Sequence, residues 1–202
     1  HVDGNKPMIR LEGVHVAYRL RSGVPARTVL KDINLTFDRG DTVGIVGESG
    51  CGKSTLARAI MGLIRPTQGE VWFGDANLGK QSRTKLRQLR RHMQLVFQDA
   101  LDSLNPRLRV DEIITDPLRL IDSTREEKNS TVDQILDQVS LDRSFKTRLP
   151  RELSGGQAQR IGIARGLVID PDLIIFDEPT SALDATIQAQ VLVLIQSLMK
   201  RR

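Results

Sequence analysis

The segment Gly47-Glu48-Ser49-Gly50-Cys51-Gly52-Lys53-Ser54 fits the spacing G-x-x-x-x-G-K-[ST] at every position. Its glycines let the backbone wrap closely with successive N–H groups turned inward, a concavity suited to an oligophosphate. Such a loop works between a strand and a helix, and the flanks read that way. Thr42 to Val46 is a short apolar run ending at Gly47, which predicts a buried parallel strand. After Lys53, the residues Leu56, Ile60 and Leu63/Ile64 recur at helical spacing. The helix start adds its positive dipole end to the cradle. Lys53 supplies a point charge for β/γ-phosphates, and the Ser54 hydroxyl is placed to ligate Mg²⁺. Cys51 reads as a small residue within the loop.

A second element matches the first in kind. Leu173-Ile174-Ile175-Phe176 is an apolar run that delivers Asp177 and Glu178 at its end. Open α/β sheets bind ligands at the carboxyl ends of their strands. There Asp177 can hold Mg²⁺ through water, and Glu178 can orient and deprotonate an attacking water. The rest of the chain supplies a suitable frame. Ile9 to Tyr18 alternates roughly and Val29 to Phe37 alternates better, with Gly23 and Pro25 marking a loop between them. Gly69 to Phe73 is a further short strand. Thr124-Arg125-Glu126-Glu127 has the form of a capping box ahead of Val132, Ile135, Leu136 and Val139. Gln157 to Val168 suits a helix, and Ile187, Val191, Leu194, Ile195 and Leu198 form an amphipathic stripe. Strands alternating with helices predict an α/β core with a parallel sheet.

Composition narrows the function classes. A single cysteine among 202 residues excludes a disulfide framework or a cysteine-cluster metal site. No apolar run approaches the ~18 residues that span a bilayer; the longest, Val191 to Met199, is broken by Gln196 and Ser197. The start, His1 to Pro7, is polar, with neither signal peptide nor initiator Met, so a trimmed chain or a tag remnant is expected. The net charge of +5 allows an acidic partner such as phosphate. Lys80 to Arg91 holds six basic residues in twelve and reads as a solvated helix face.

Leu153-Ser154-Gly155-Gly156-Gln157 is itself a capping box whose glycines leave N–H groups bare for an anion. It also resembles the signature motif of ABC-type ATPases. Tyr18 resembles that family's adenine-stacking aromatic, Gln98 its Q-loop glutamine, and Ser181-Ala182-Leu183-Asp184 its D-loop. All occur in family order and cover the chain from about Ile9 to its end. The stretch Gln98-Asp99-Ala100-Leu101-Asp102-Ser103-Leu104-Asn105-Pro106-Arg107 is similar to one in the ATPases of oligopeptide, dipeptide and nickel importers, with Ala100 in place of the usual Pro.

The resemblance implies an α/β fold: a P-loop NTPase core with a mainly parallel sheet, an N-terminal antiparallel β subdomain and an inserted helical subdomain. One ABC ATPase domain would cover 1–202, with 1–45 and 69–75 contributing the β-subdomain strands and about 105–155 the helical part. It implies ATP and Mg²⁺ as cofactors. Gly47 to Ser54, Thr55 and Tyr18 would bind nucleotide; Ser54, Gln98 and Asp177 would hold the metal; Glu178 and Gln98 would be catalytic. Leu153 to Gln157 would contact nucleotide across a dimer, with Asp184 in the D-loop. The implied partners are a second ATPase subunit, identical or paralogous, transmembrane permease subunits and, indirectly, an extracytoplasmic binding protein, with no nucleic acid. The implied place is peripheral, on the cytoplasmic face of the cell (inner) membrane. A soluble ABC ATPase of DNA repair or translation is the alternative. Repair members carry a long coiled coil between loop and signature, whereas about 100 residues and no heptad run separate Lys53 from Leu153 here. The family's switch histidine lies downstream of the second carboxylate motif, yet His1, His15 and His92 are all upstream. A C-terminally truncated, weakly active fragment is therefore expected.

Overall fold

The computed structural model describes residues 7–18, 26–96, 100–120, 124–178 and 185–200. The chain forms two compact units, His1–Arg90 and Arg91–Arg202.

In the first unit, β1 (Ile9–Tyr18), β2 (Arg27–Phe37), β3 (Gln68–Phe73) and β4 (Ala76–Asn77) form one antiparallel sheet in the order β2-β1-β3-β4. Ile9, Leu11, Val14 and Val16 are buried, so the inward phase slips between Leu11 and Val14. The cause is a bulge: the register shifts there, and Gly13 sits at φ +55. A side chain at the facing Gly69 would meet the Gly13 carbonyl oxygen at 2.2 Å. This close approach explains why the alternation along β1 reads only roughly.

Helix α1 (Lys53–Ile60) buries Leu56, Ala57, Ala59 and Ile60 and packs on β1, β2 and β3. Its far end is held by Arg90, which donates from Nε to the Met61 carbonyl at 3.2 Å and from Nη2 to that of Gly62. A guanidinium suits the carbonyl-rich end of a helix. Arg90 follows α2 (Arg83–Leu89), which starts at Ser82, whose Oγ accepts from Lys85 N at 3.2 Å.

One expectation fails in this unit. Residues 42–46 form no strand among the described residues, and Val43, Ile45 and Val46 are 53%, 47% and 98% exposed. An interior parallel strand requires ladder partners and cover on both faces. The strands described in residues 1–90 pair only with one another, antiparallel, so the apolar pattern of 42–46 has no ladder to join.

In the second unit, β5 (Met93–Val96) and β6 (Leu173–Phe176) pair in parallel, Met93 opposite Leu173 and Val96 opposite Phe176. The ladder is extended at both ends: Asp172 N donates to His92 O at 2.9 Å and Asp177 N to Val96 O at 3.0 Å. Helix α6 (Gly155–Leu167) lies on β5, where a Cβ added at Gly166 would lie 3.5 Å from Val96 Cγ2. Helices α3 (Ala100–Ser103), α4 (Val110–Thr115), α5 (Arg125–Gln138) and α7 (Ala185–Lys200) pack around α6. The core between them includes Ile114, Leu136, Ile161 and Val191. The capping box read at Thr124 is formed: Thr124 N donates to Glu127 Oε2 at 2.7 Å, and Glu127 N to Thr124 Oγ1 at 3.2 Å. Arg165 ties α3 to α6 by donating to the Ser103 carbonyl at 2.9 Å. Burial pushes its guanidinium below the ordinary value, opposed by the charge of Asp116. No helix among the described residues is long and apolar enough to cross a membrane.

Candidate functional site

The loop Gly47–Gly52 is closed by its own lysine. Lys53 Nζ donates to the carbonyls of Gly47 at 2.7 Å and Glu48 at 2.9 Å, while Cys51 N donates to Glu48 O at 3.2 Å. The ammonium is thus held over the ring of the loop rather than extended away from it. Two glycines make the ring possible, Gly50 at φ +80 and Gly52 at φ +107. Gly52 is the N-cap of α1 and provides no side chain to cap it, so the helix begins directly from the loop backbone. Lys53, Ser54 and Thr55 form the first turn, each half-buried. Cys51 is exposed and its thiol lies against the Gly47 Cα, where an added Cβ would meet Sγ at 2.7 Å. A tight backbone ring, a held cation and a helix start with no side-chain cap at Gly52 together fit an oligophosphate. Glu48, Ser49 and Gly50 form the exposed rim, and Tyr18, half-buried, ends β1 opposite Arg27.

In the second unit Asp177 and Glu178 follow β6 directly. The hydrogen bond from Asp177 N to Val96 O fixes that residue at the carboxyl end of the ladder. Glu178 then turns into the left-handed region at φ +46. A non-glycine residue there is strained, and such strain gathers at functional sites. Oxygen donors of this kind suit Mg²⁺, which takes few protein ligands. No group of three or more His, Cys, Asp or Glu that could hold a metal occurs among the described residues.

The Ser154 motif is a formed cap. Ser154 N donates to Gln157 Oε1 at 2.9 Å and Gln157 N to Ser154 Oγ at 3.3 Å. Leu153 is buried, Ser154 exposed, and Gly155 and Gln157 half-buried. Gly156 is buried against α7, where a Cβ would meet Ile187 Cγ2 at 2.5 Å. Gln98 and Ser181 to Asp184 lie outside the described residues. Each unit therefore presents its own part: the loop and Tyr18 in one, the carboxylates and the capped glycines in the other.

One contributor, Arg90, and one backbone conformation, that of the expected catalytic Glu178, were not legible in the sequence. Arg90 belongs to a basic run that reads as solvated, yet it caps α1 from 28 residues beyond Gly62. Glu178 gave no local sign of a left-handed backbone; only an Asn, Asp or Gly would have flagged it.

A sequence profile of the ABC transporter family matches residues 30–181. The chain is 48% identical over 173 residues to the oligopeptide transport ATP-binding protein OppF of Haemophilus influenzae, covering 85% of this chain and 52% of that protein. It is 43% identical over 208 residues to OppF of Escherichia coli, covering 98% and 62%. It is similar to a solved ATP-binding cassette, a dimer in a post-hydrolysis state bound to ADP and Pi, with a TM-score of 0.86, 32% identity and coverage of 96% of this chain and 84% of that one. The chain spans between about half and three-fifths of these curated relatives.

Proposed function

The chain belongs to the ABC transporter family, and from that premise we propose that it is the ATP-binding, ATP-hydrolysing part of a subunit powering a membrane importer of peptides. The observation that carries the reading is the closed loop, with Lys53 held over Gly47 and Glu48 at the start of α1. The names of the relatives, oligopeptide transport ATP-binding proteins, support peptide over nickel as cargo.

In this reading the loop amides and Tyr18 bind and orient ATP, and Lys53 faces the β/γ-phosphates. Mg²⁺ would be held by Ser54, Asp177 and Gln98 and would neutralise charge on the phosphates. Glu178 takes the proton of the attacking water, and Gln98 helps place that water. Leu153 to Gln157 reach the nucleotide of a second ATPase subunit, identical or paralogous, with Asp184 beside them. Residues 1–45 and 69–75 serve as the β subdomain and about 105–155 as the helical one. Permease subunits, and through them an extracytoplasmic binding protein, complete the machine. The chain works peripherally on the cytoplasmic face of the membrane.

The test contrasts two substitutions. Lys53→Ala is expected to lose tight binding of a fluorescent ATP analogue. Glu178→Gln is expected to bind it normally while phosphate release falls ~10²–10⁴-fold, measured in the chain joined to the remainder of its parent protein. Unchanged affinity in the first, or parental turnover in the second, overturns the corresponding role.

A further inference from the structure

The exposed face of α2, with the neighbouring end of α1, is a basic surface that the proposed chemistry leaves unused. Arg83, Lys85 and Arg87 are exposed, while Leu86 is buried and anchors the helix. The hydrogen bonds of Arg90 to Met61 and Gly62 bring the end of α1 alongside α2. A Cβ on Gly62 would lie 3.6 Å from Leu86 Cδ2. That end carries the exposed Arg65 and Leu63, the latter 47% exposed. Lys80, by contrast, is already paired with Glu70 at 2.7 Å. Among the described residues Arg65, Arg83, Lys85 and Arg87 make no ion pair.

The charge pattern is local. No acidic residue occurs between Asp75 and Asp99, and residues 1–90 hold 15 Lys+Arg against 8 Asp+Glu. Arg83 and Arg87 are four residues apart on one helix face, where like charges repel. Such a row is relieved by a polyanion that accepts planar, paired donors, and guanidiniums suit phosphate. We propose that this surface binds anionic phospholipid headgroups at the membrane against which the importer works. Two features favour lipid over nucleic acid. Residues 76–96 contain no Phe, Trp or Tyr, so the large aromatic platforms on which successive bases stack are missing from this segment. The exposed Leu63 gives the surface an apolar contact that a bilayer interface accepts. The choice of a membrane rests on the transport reading; the basic surface itself does not.

The test is co-sedimentation with phosphatidylcholine vesicles containing about one-third phosphatidylglycerol, against pure phosphatidylcholine. The chain should sediment only with the anionic vesicles and be released on raising salt from about 0.1 M to about 0.5 M. Arg83→Gln/Lys85→Gln/Arg87→Gln should weaken binding by about fivefold per charge, ~10²-fold in all. A matched triple on exposed cations elsewhere, Lys31→Gln/Arg107→Gln/Arg151→Gln, should weaken it only a few-fold. Equal losses in the two triples, undiminished binding by the α2 triple, or equal binding to neutral vesicles overturns the proposal. So does binding of a single-stranded oligonucleotide that outcompetes the vesicles. Sedimentation is measured without nucleotide, so failure of ATP binding in Lys53→Ala counts against the transport reading alone.

Discussion

Gly50 and Gly52 carry similar backbone angles but meet different surroundings. At Gly50, φ +80, a Cβ would meet nothing within 4 Å. At Gly52, φ +107, it would lie 3.1 Å from side-chain carbons of Val29 and Leu30 and 3.2 Å from the Val29 carbonyl oxygen. The first position asks only for a permissive backbone; the second also for the absence of a side chain beneath β2. Both Gly50→Ala and Gly52→Ala should carry the left-handed strain of ~1–2 kcal/mol. Gly52→Ala should be the more destabilising, because the sheet must also yield. Urea midpoints of the two variants check this, and equal midpoints would show that the contact with β2 is harmless.

At the level of elements, the glycines of the capped motif divide in the same way. Gly156 is required by packing, since Ile187 on α7 occupies the space of its missing side chain. Gly156→Ala should cost ~1–3 kcal/mol through overpacking. Removing the obstructing carbon with Ile187→Ala should return part of that loss, giving a coupling of ~0.5–3 kcal/mol in a double-mutant cycle. Strict additivity would mean that the two helices move apart freely. This need could not be read from the sequence, because Ile187 lies 31 positions away and nothing local names it as a neighbour. What could be read was local: the boxes at Thr124 and Ser154 each place donor and acceptor three residues apart, and both are formed. The run at 42–46 failed for the opposite reason. Its apolar pattern is a property of the segment, but a strand is a property of its partners. The loop at 47–54 was legible because its glycines and lysine act within eight consecutive residues. Arg165, which ties α6 to α3 across 62 positions, was not.

Over the whole molecule, the carboxylates set a direction for acid sensitivity. Glu70 is held below the ordinary 4.5 by its hydrogen bond with Lys80, and Glu127 by the Thr124 backbone N–H. Asp137 is held below 3.8 by Arg143, and Asp142 by Ser144. A carboxyl with a lowered folded-state value binds fewer protons folded than unfolded. Its stabilisation is complete above the ordinary values and is lost as pH falls through the lowered ones. The thermal midpoint should therefore be insensitive to these groups at neutral pH and fall below about pH 4.5. Glu70 belongs to one unit and the other three to the second, so both units should weaken. Glu127→Gln keeps a side chain able to cap α5 and should shrink the acid dependence without abolishing the helix. Calorimetry from neutral to acid pH checks this, and a midpoint that rises on acidification would contradict it.

The doubly tied ladder of β5 and β6 has a consequence for how a gene of this kind can vary. Val96 faces Phe176, and Gln98 and Glu178 each follow those residues by two positions. A codon inserted inside either strand would shift the pairing of Met93 to Val96 with Leu173 to Phe176 and turn the side chains beyond it to the opposite face. A codon inserted between α6 and β6 would leave both counts intact. Lineages descended from this gene are free to lengthen in that connection, while the two four-residue strands must be inherited without gain or loss.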